Sequence, residues 1–194
     1  MKKKILATEI PQKKNDLICV TGDLGGAYIG LQLLEREKQV FLDNHDMKPE
    51  LEGKELLIKR QLKPEARTDI IYELKDLNIV PTSMIDISDG LASELLHICN
   101  SSKVGAKIYE EKLPIENSTY KTAIEFKLDP TTCMLNGGED YELLFTINTN
   151  DFEKIKNHPD ITTIGHLTEK KSGVNLITKG GNMVKVKAQG WEHF

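Results

Sequence analysis

The chain has 194 residues, 39% of them hydrophobic and 29% charged, with a formal net charge of −4 and a pI near 5.8. This is the balance of a soluble globular chain with one real core, or at most two very small ones, and it excludes a disordered protein. The acidic sign and scattered Lys and Arg argue against nucleic acid, no apolar run nears the roughly 18 residues that span a bilayer, and the first residues lack a signal peptide's apolar segment.

Residues 1–16 (MKKKILATEIPQKKND) are basic and polar, and read as a leader or linker before a folded unit over 17–194. LICVT, from Leu17 to Thr21, reads as a buried strand and GDLGG as a glycine turn. From Ala27, Ile29, Leu33, Leu34, Val40 and Phe41 recur at helical spacing, and 43–53 is a polar loop. Pro64 suits the first turn of a helix whose apolar stripe is Ile70, Ile71 and Leu74. Ser83 to Ile87 is a short strand, SDG turns the chain, and Leu91, Leu95 and Ile98 mark the next helix. After Gly105 the run AKIYEEKLPI is extended, and a helix from Asn117 to Leu128 is closed by Asp129 and Pro130. NGGED (136–140) is a glycine-acid turn feeding the strand YELLFTI, Asp151 caps a short helix, and TTIGHL, GVNLIT and MVKVKA are extended. The expected fold class is α/β (α+β layers), with a mixed sheet of about four to six strands packed with helices.

Cys19, Cys99 and Cys133 are odd in number and widely spaced, without a CxxC, which predicts buried thiols in a reducing cytosol rather than disulfides or zinc ligands. The five His residues show no HExxH or HxxxH spacing.

Three polar clusters remain. In MIDISDGL (84–91), Ser88 or Asp89 would serve as a plain helix cap, but Asp86 lies inside the apolar run and projects from the same side as Ser88. Carboxylates at a strand end beside a helix N-terminus suit Mg²⁺ and phosphate together. An EF-hand is excluded, because its glycine falls elsewhere and His97 stands where its closing Glu belongs. GDLGG lacks the GK[ST] of a phosphate loop and reads as a tight turn. In NGGEDYELLF, Glu139 and Asp140 are either solvated loop charges or ligand contacts, and Trp191 in the closing GWEHF is a packing plug or, with an acid, a seat for a cationic ring.

Taken together, MIDISDGL, NGGEDYELLF and GWEHF resemble thiamine-monophosphate kinases, members of the aminoimidazole-ribonucleotide synthetase-like (PurM-like) superfamily, over residues 16–194. VTGDLGGAYIGLQLLEREK resembles the segment that opens their second domain. The resemblance implies the C-terminal domain of that fold, and transfer of the ATP γ-phosphoryl group to thiamine monophosphate. It implies Mg²⁺ on Asp86 and Asp89, ATP phosphates near Ser88, and the thiamine moiety on Glu139 or Asp140 with Trp191 against it. It further implies a cytoplasmic, homodimeric full-length enzyme and an amino-terminal domain not seen in this sequence, so the fragment alone is expected to be inactive. Two other readings are a non-catalytic module of the same fold, and an ATP-user acting on a purine precursor. The kinase reading requires the acidic strand end at 86 to lie within a phosphate chain's reach of residue 139 and the terminal indole.

Overall fold

The computed structural model describes residues 14–188; Trp191 and most of the basic leader fall outside the described residues. Among the described residues, seven strands form one sheet: β1 (Leu17–Thr21), β2 (Ser83–Asp86), β3 (Gly105–Tyr109), β4 (Leu143–Ile147), β5 (Ile161–Thr168), β6 (Val174–Ile177) and β7 (Met183–Lys185). Their order is β2-β4-β1-β5-β3-β6-β7, and among the described residues only β3 and β6 run parallel as neighbours. The sheet is wider than the four to six strands expected, because all three short C-terminal runs join it. The helices are α1 (Gly26–Asp43), α2 (Glu55–Leu62), α3 (Thr68–Asp76), α4 (Leu91–Ser102), α5 (Asn117–Glu125), α6 (Pro130–Asn136) and α7 (Phe152–Ile155).

Strand alternation gives the sheet two apolar faces. Ile18 and Val20 share one face with Ile85, Leu144, Ile164 and Leu167, and α4 lays Leu91, Leu95 and Ile98 over them. Cys19, Met84, Phe145 and Ile147 point to the other face, where Ile70 and Leu74 of α3 and Ile155 of α7 pack. Each fully buried Leu, Ile or Phe contributes roughly 1.5–3 kcal/mol relative to exposure. Ile29 of α1, Leu57 of α2, Ala123 of α5 and Cys133 of α6 form a third cluster, which anchors the helices beside the sheet end.

Two local readings change. The helix α2 was not expected; only Leu57 of its eight residues is buried. Pro64 follows α2 instead of opening a helix, and of the stripe on α3 only Ile70 and Leu74 are buried, Ile71 being 45% exposed. Likewise α5 ends at Glu125, short of the expected Leu128, and Asp129 and Pro130 begin the next helix instead of closing that one. The Asp129 carboxyl accepts the Thr132 N–H at 2.7 Å, and Pro130 takes the first turn of α6, where its missing N–H costs nothing.

All three cysteines are buried and unbridged. Burial pushes the Cys19 and Cys99 thiols up to about 12 and Cys133 to about 11, which removes them as nucleophiles near neutral pH. No helix among the described residues is long and apolar enough to cross a membrane.

Candidate functional site

The antiparallel pairing of β2 with β4 sets Asp86 opposite Leu143, so the turn after β2 and the turn before β4 leave the sheet side by side. Backbone hydrogen bonds carry the pairing into both turns. Ile87 N donates to Glu142 O at 2.7 Å, Tyr141 N to Ile87 O at 2.9 Å and Glu139 N to Ser88 O at 2.8 Å. The close approach depends on Gly138, whose φ is +69°, since a Cβ there would stand 2.7 Å from the Ser88 carbonyl oxygen. Glu139 and Tyr141 are also left-handed, at φ 59° and 53°, a conformation that costs roughly 1–2 kcal/mol per non-glycine residue. Two successive inversions flanking Asp140 turn neighbouring side chains to opposite sides.

Glu139 is therefore exposed while Asp140 is only 3% exposed. The Tyr141 hydroxyl donates to Glu139 Oε2 at 3.2 Å. The Glu139 charge raises the phenol pKa first, burial next, and Asp86 and Asp89 add to it. The charges of three carboxyl groups from the two motifs thus act on one hydroxyl, and the paired turns set the strand end at Asp86 beside the turn that carries Glu139. The Trp191 half lies outside the described residues.

Helix capping does not account for the DISDG acids. The N-cap of α4 is Gly90, and no side chain caps it. Asp86 is exposed and Ser88 and Asp89 are half-buried, at the positive end of a 12-residue helix. From inside α4, Glu94 Oε1 accepts the Asp89 N–H at 3.1 Å.

Asp140 caps a different helix. Its Oδ2 accepts from Gly25 N at 2.7 Å and its Oδ1 from Ala27 N at 3.2 Å, so a carboxyl group 113 to 115 residues away closes the N-terminus of α1. Burial raises its pKa to about 7, against the pull of those two N–H groups and of Arg60. A pKa raised above 3.8 means the folded state holds a proton that the unfolded chain releases. The stability this contributes is complete below about pH 3.8 and is lost as pH rises through about 7. Asp140→Asn is expected to flatten the fall in stability between those pH values, measured by urea denaturation at several pH values; an unchanged slope would refute the burial account.

Behind the cap lies a second charged group that the sequence reading missed. Glu142, 1% exposed, accepts from Thr21 Oγ1 at 2.5 Å, Arg60 Nη1 at 2.6 Å and Arg67 Nη1 at 2.8 Å. Arg60 also pairs with Asp23, and Arg67 with Asp69 at 3.0 Å. Gly22 makes the room, since a Cβ there would stand 2.3 Å from Glu142 Oε1. This network ties α2 and the start of α3 to the strand end that carries Glu139. Partners 75 to 121 residues apart leave no local pattern to read. Glu94 had a signal: an acid in the first turn after SDG, where it reaches back to free N–H groups.

The exposed donors are all oxygen, the set a hard cation prefers. No group of three or more His, Cys, Asp or Glu among the described residues is arranged to hold an ion by itself. Mg²⁺ fits such a place when phosphates and water complete its shell, as it does on one or two carboxylates.

The family model described as "AIR synthase related protein, C-terminal domain" matches residues 13–177. The chain is 38% identical over 188 residues to the thiamine-monophosphate kinase of Buchnera aphidicola (from Schizaphis graminum), covering 94% of this chain and 54% of that protein. It is 36% identical over 180 residues to the thiamine-monophosphate kinase of Aquifex aeolicus, covering 92% and 52%. A solved structure described as "AaThiL complexed with AMPPCP and TMP" superposes with a TM-score of 0.75 at 33% identity, covering 94% of this chain and 52% of that one. The chain spans about half the length of the relatives it matches.

Proposed function

Because the chain belongs to the AIR synthase related protein, C-terminal domain family, we propose that it forms one half of a kinase that passes the ATP γ-phosphoryl group to thiamine monophosphate, giving thiamine diphosphate and ADP. The observation that carries this reading is the backbone pairing of the DISDG and NGGED turns, which brings the segments carrying Asp86, Asp89 and Glu139 side by side.

In this reading Asp86 and Asp89 hold Mg²⁺, and Ser88 meets the ATP phosphates at the N-terminal end of α4. Bound Mg²⁺ would screen the repulsion among the phosphate groups. Glu139, exposed and steadied by Tyr141, faces the fixed positive charge of the thiazolium. Asp140 keeps its carboxyl under α1 and sets the direction of Glu139, so of the two acids Glu139 touches the substrate. Trp191 would lay its indole on the same cationic ring. The acceptor is a phosphate already ionised at neutral pH, so attack is direct and in line, with no general base and no phosphoenzyme. The remaining cation ligands would come from the amino-terminal domain, in a cytoplasmic homodimer.

Calorimetric titration tests the assignment. Thiamine monophosphate should bind in the presence of Mg²⁺ and a non-hydrolysable ATP analogue, and Glu139→Gln should weaken it about tenfold, about 1.4 kcal/mol. Asp86→Asn and Asp89→Asn should weaken the nucleotide instead. Binding of a purine ribotide but not of thiamine monophosphate would overturn the reading.

A further inference from the structure

Glu94 is fully buried, a rare place for a carboxyl group. It sits in the first turn of α4, and its Oε1 reaches back past the N-cap Gly90 to take the Asp89 N–H at 3.1 Å. The neighbouring Ser88 carbonyl accepts from Glu139 N at 2.8 Å. The short turn is therefore held at successive residues, by the NGGED strand end through Ser88 and by the helix interior through Asp89. The Ser88 carbonyl and the Asp89 N–H belong to one peptide group, so its plane is held from both sides, and with it the N–Cα bond about which the Asp89 side chain swings.

We infer that Glu94 is a positioning residue for Asp89: its buried carboxyl group locks the Asp89 peptide so that the Asp89 carboxylate leaves the turn aimed at a divalent cation. This rests on Asp89 binding a cation, as proposed above. The physical logic is that of groups behind a metal ligand, which raise affinity by removing the ligand's freedom, and whose loss typically lowers metal affinity about 10–100-fold. A hydrogen-bond acceptor is what this role requires. Gln supplies one at the same reach, whereas Leu fills the space and leaves the Asp89 N–H without Oε1.

Mn²⁺ serves as the probe, titrated into the 194-residue chain while amide signals of the 86–90 turn are followed for paramagnetic broadening. Glu94→Leu should need about tenfold or more Mn²⁺ for the same broadening, and Glu94→Gln should stay within about threefold of the parent chain, less than 1 kcal/mol. A merely structural residue would give a lower melting temperature in Glu94→Leu with unaltered Mn²⁺ affinity, and that result would overturn the inference. Amide exchange at Asp89 provides a second arm. Exchange should quicken at least about tenfold in Glu94→Leu and hold in Glu94→Gln, as expected when a hydrogen bond worth about 1.4 kcal/mol is lost. Equal exchange in all three proteins also overturns the inference. If the parent chain shows no Mn²⁺ broadening at all, the cation reading of Asp86 and Asp89 fails, and the exchange arm still judges the lock by itself.

Discussion

Glu142→Ala is expected to destabilise the fold by about 3 kcal/mol, the low end of what removing one partner from a buried ion pair costs. The carboxyl group is enclosed and answers two guanidinium groups and the Thr21 hydroxyl. Its loss leaves Arg60 and Arg67 facing each other with Asp23, Asp69 and, at 3.8 Å, Asp160 to offset them. Those remaining pairs are why the cost sits at the bottom of the range. Denaturation with urea should show a lower midpoint at an unchanged slope. Glu142→Gln should fall between, because it keeps acceptor geometry without the charge. A midpoint within error of the parent chain in Glu142→Ala would mean that the arginines find full compensation elsewhere.

Gly138→Val carries the second large effect. A β-branched residue at φ +69° pays left-handed backbone strain of roughly 1–2 kcal/mol. Its Cβ would also stand 2.7 Å from the Ser88 carbonyl oxygen, a clash of the kind that adds roughly 1–3 kcal/mol. The turns must part, so the Glu139-to-Ser88 hydrogen bond goes with them. We expect a stability loss of about 2–5 kcal/mol together with loss of thiamine monophosphate binding. Thermal melting and calorimetry on the same samples check both. A variant that melts lower yet binds normally would show that the pairing of the turns holds the fold and not the ligand.

How much of this was legible beforehand depends on distance along the chain. Strands such as Leu17 to Thr21 and Leu143 to Ile147, and the α4 stripe Leu91, Leu95 and Ile98, follow from period alone, and the structure contains them. α2 did not announce itself, because eight residues with one buried leucine are too short a run to fix a period. Asp129-Pro130 is ambiguous by nature: a pair that would halt a helix caps and opens one here, after α5 has already ended at Glu125. Within NGGED no local rule separates Glu139 from Asp140. The separation comes from two left-handed residues in succession around Asp140, and from an acceptor requirement at the N-terminus of α1. The Arg60–Glu142–Arg67 contacts join segments with no shared local pattern, so they exist only once the sheet has formed.

The placement of β1 bears on how the chain reaches this state. β1 lies between β4 and β5, so Leu17 to Thr21 finds its partners only among residues 144–147 and 161–166. Once made, this apolar segment must wait for more than a hundred further residues before either strand that flanks it exists. Loop-closure entropy on that scale slows the assembly step, and the wait leaves a sticky ribbon open to chaperones and to aggregation.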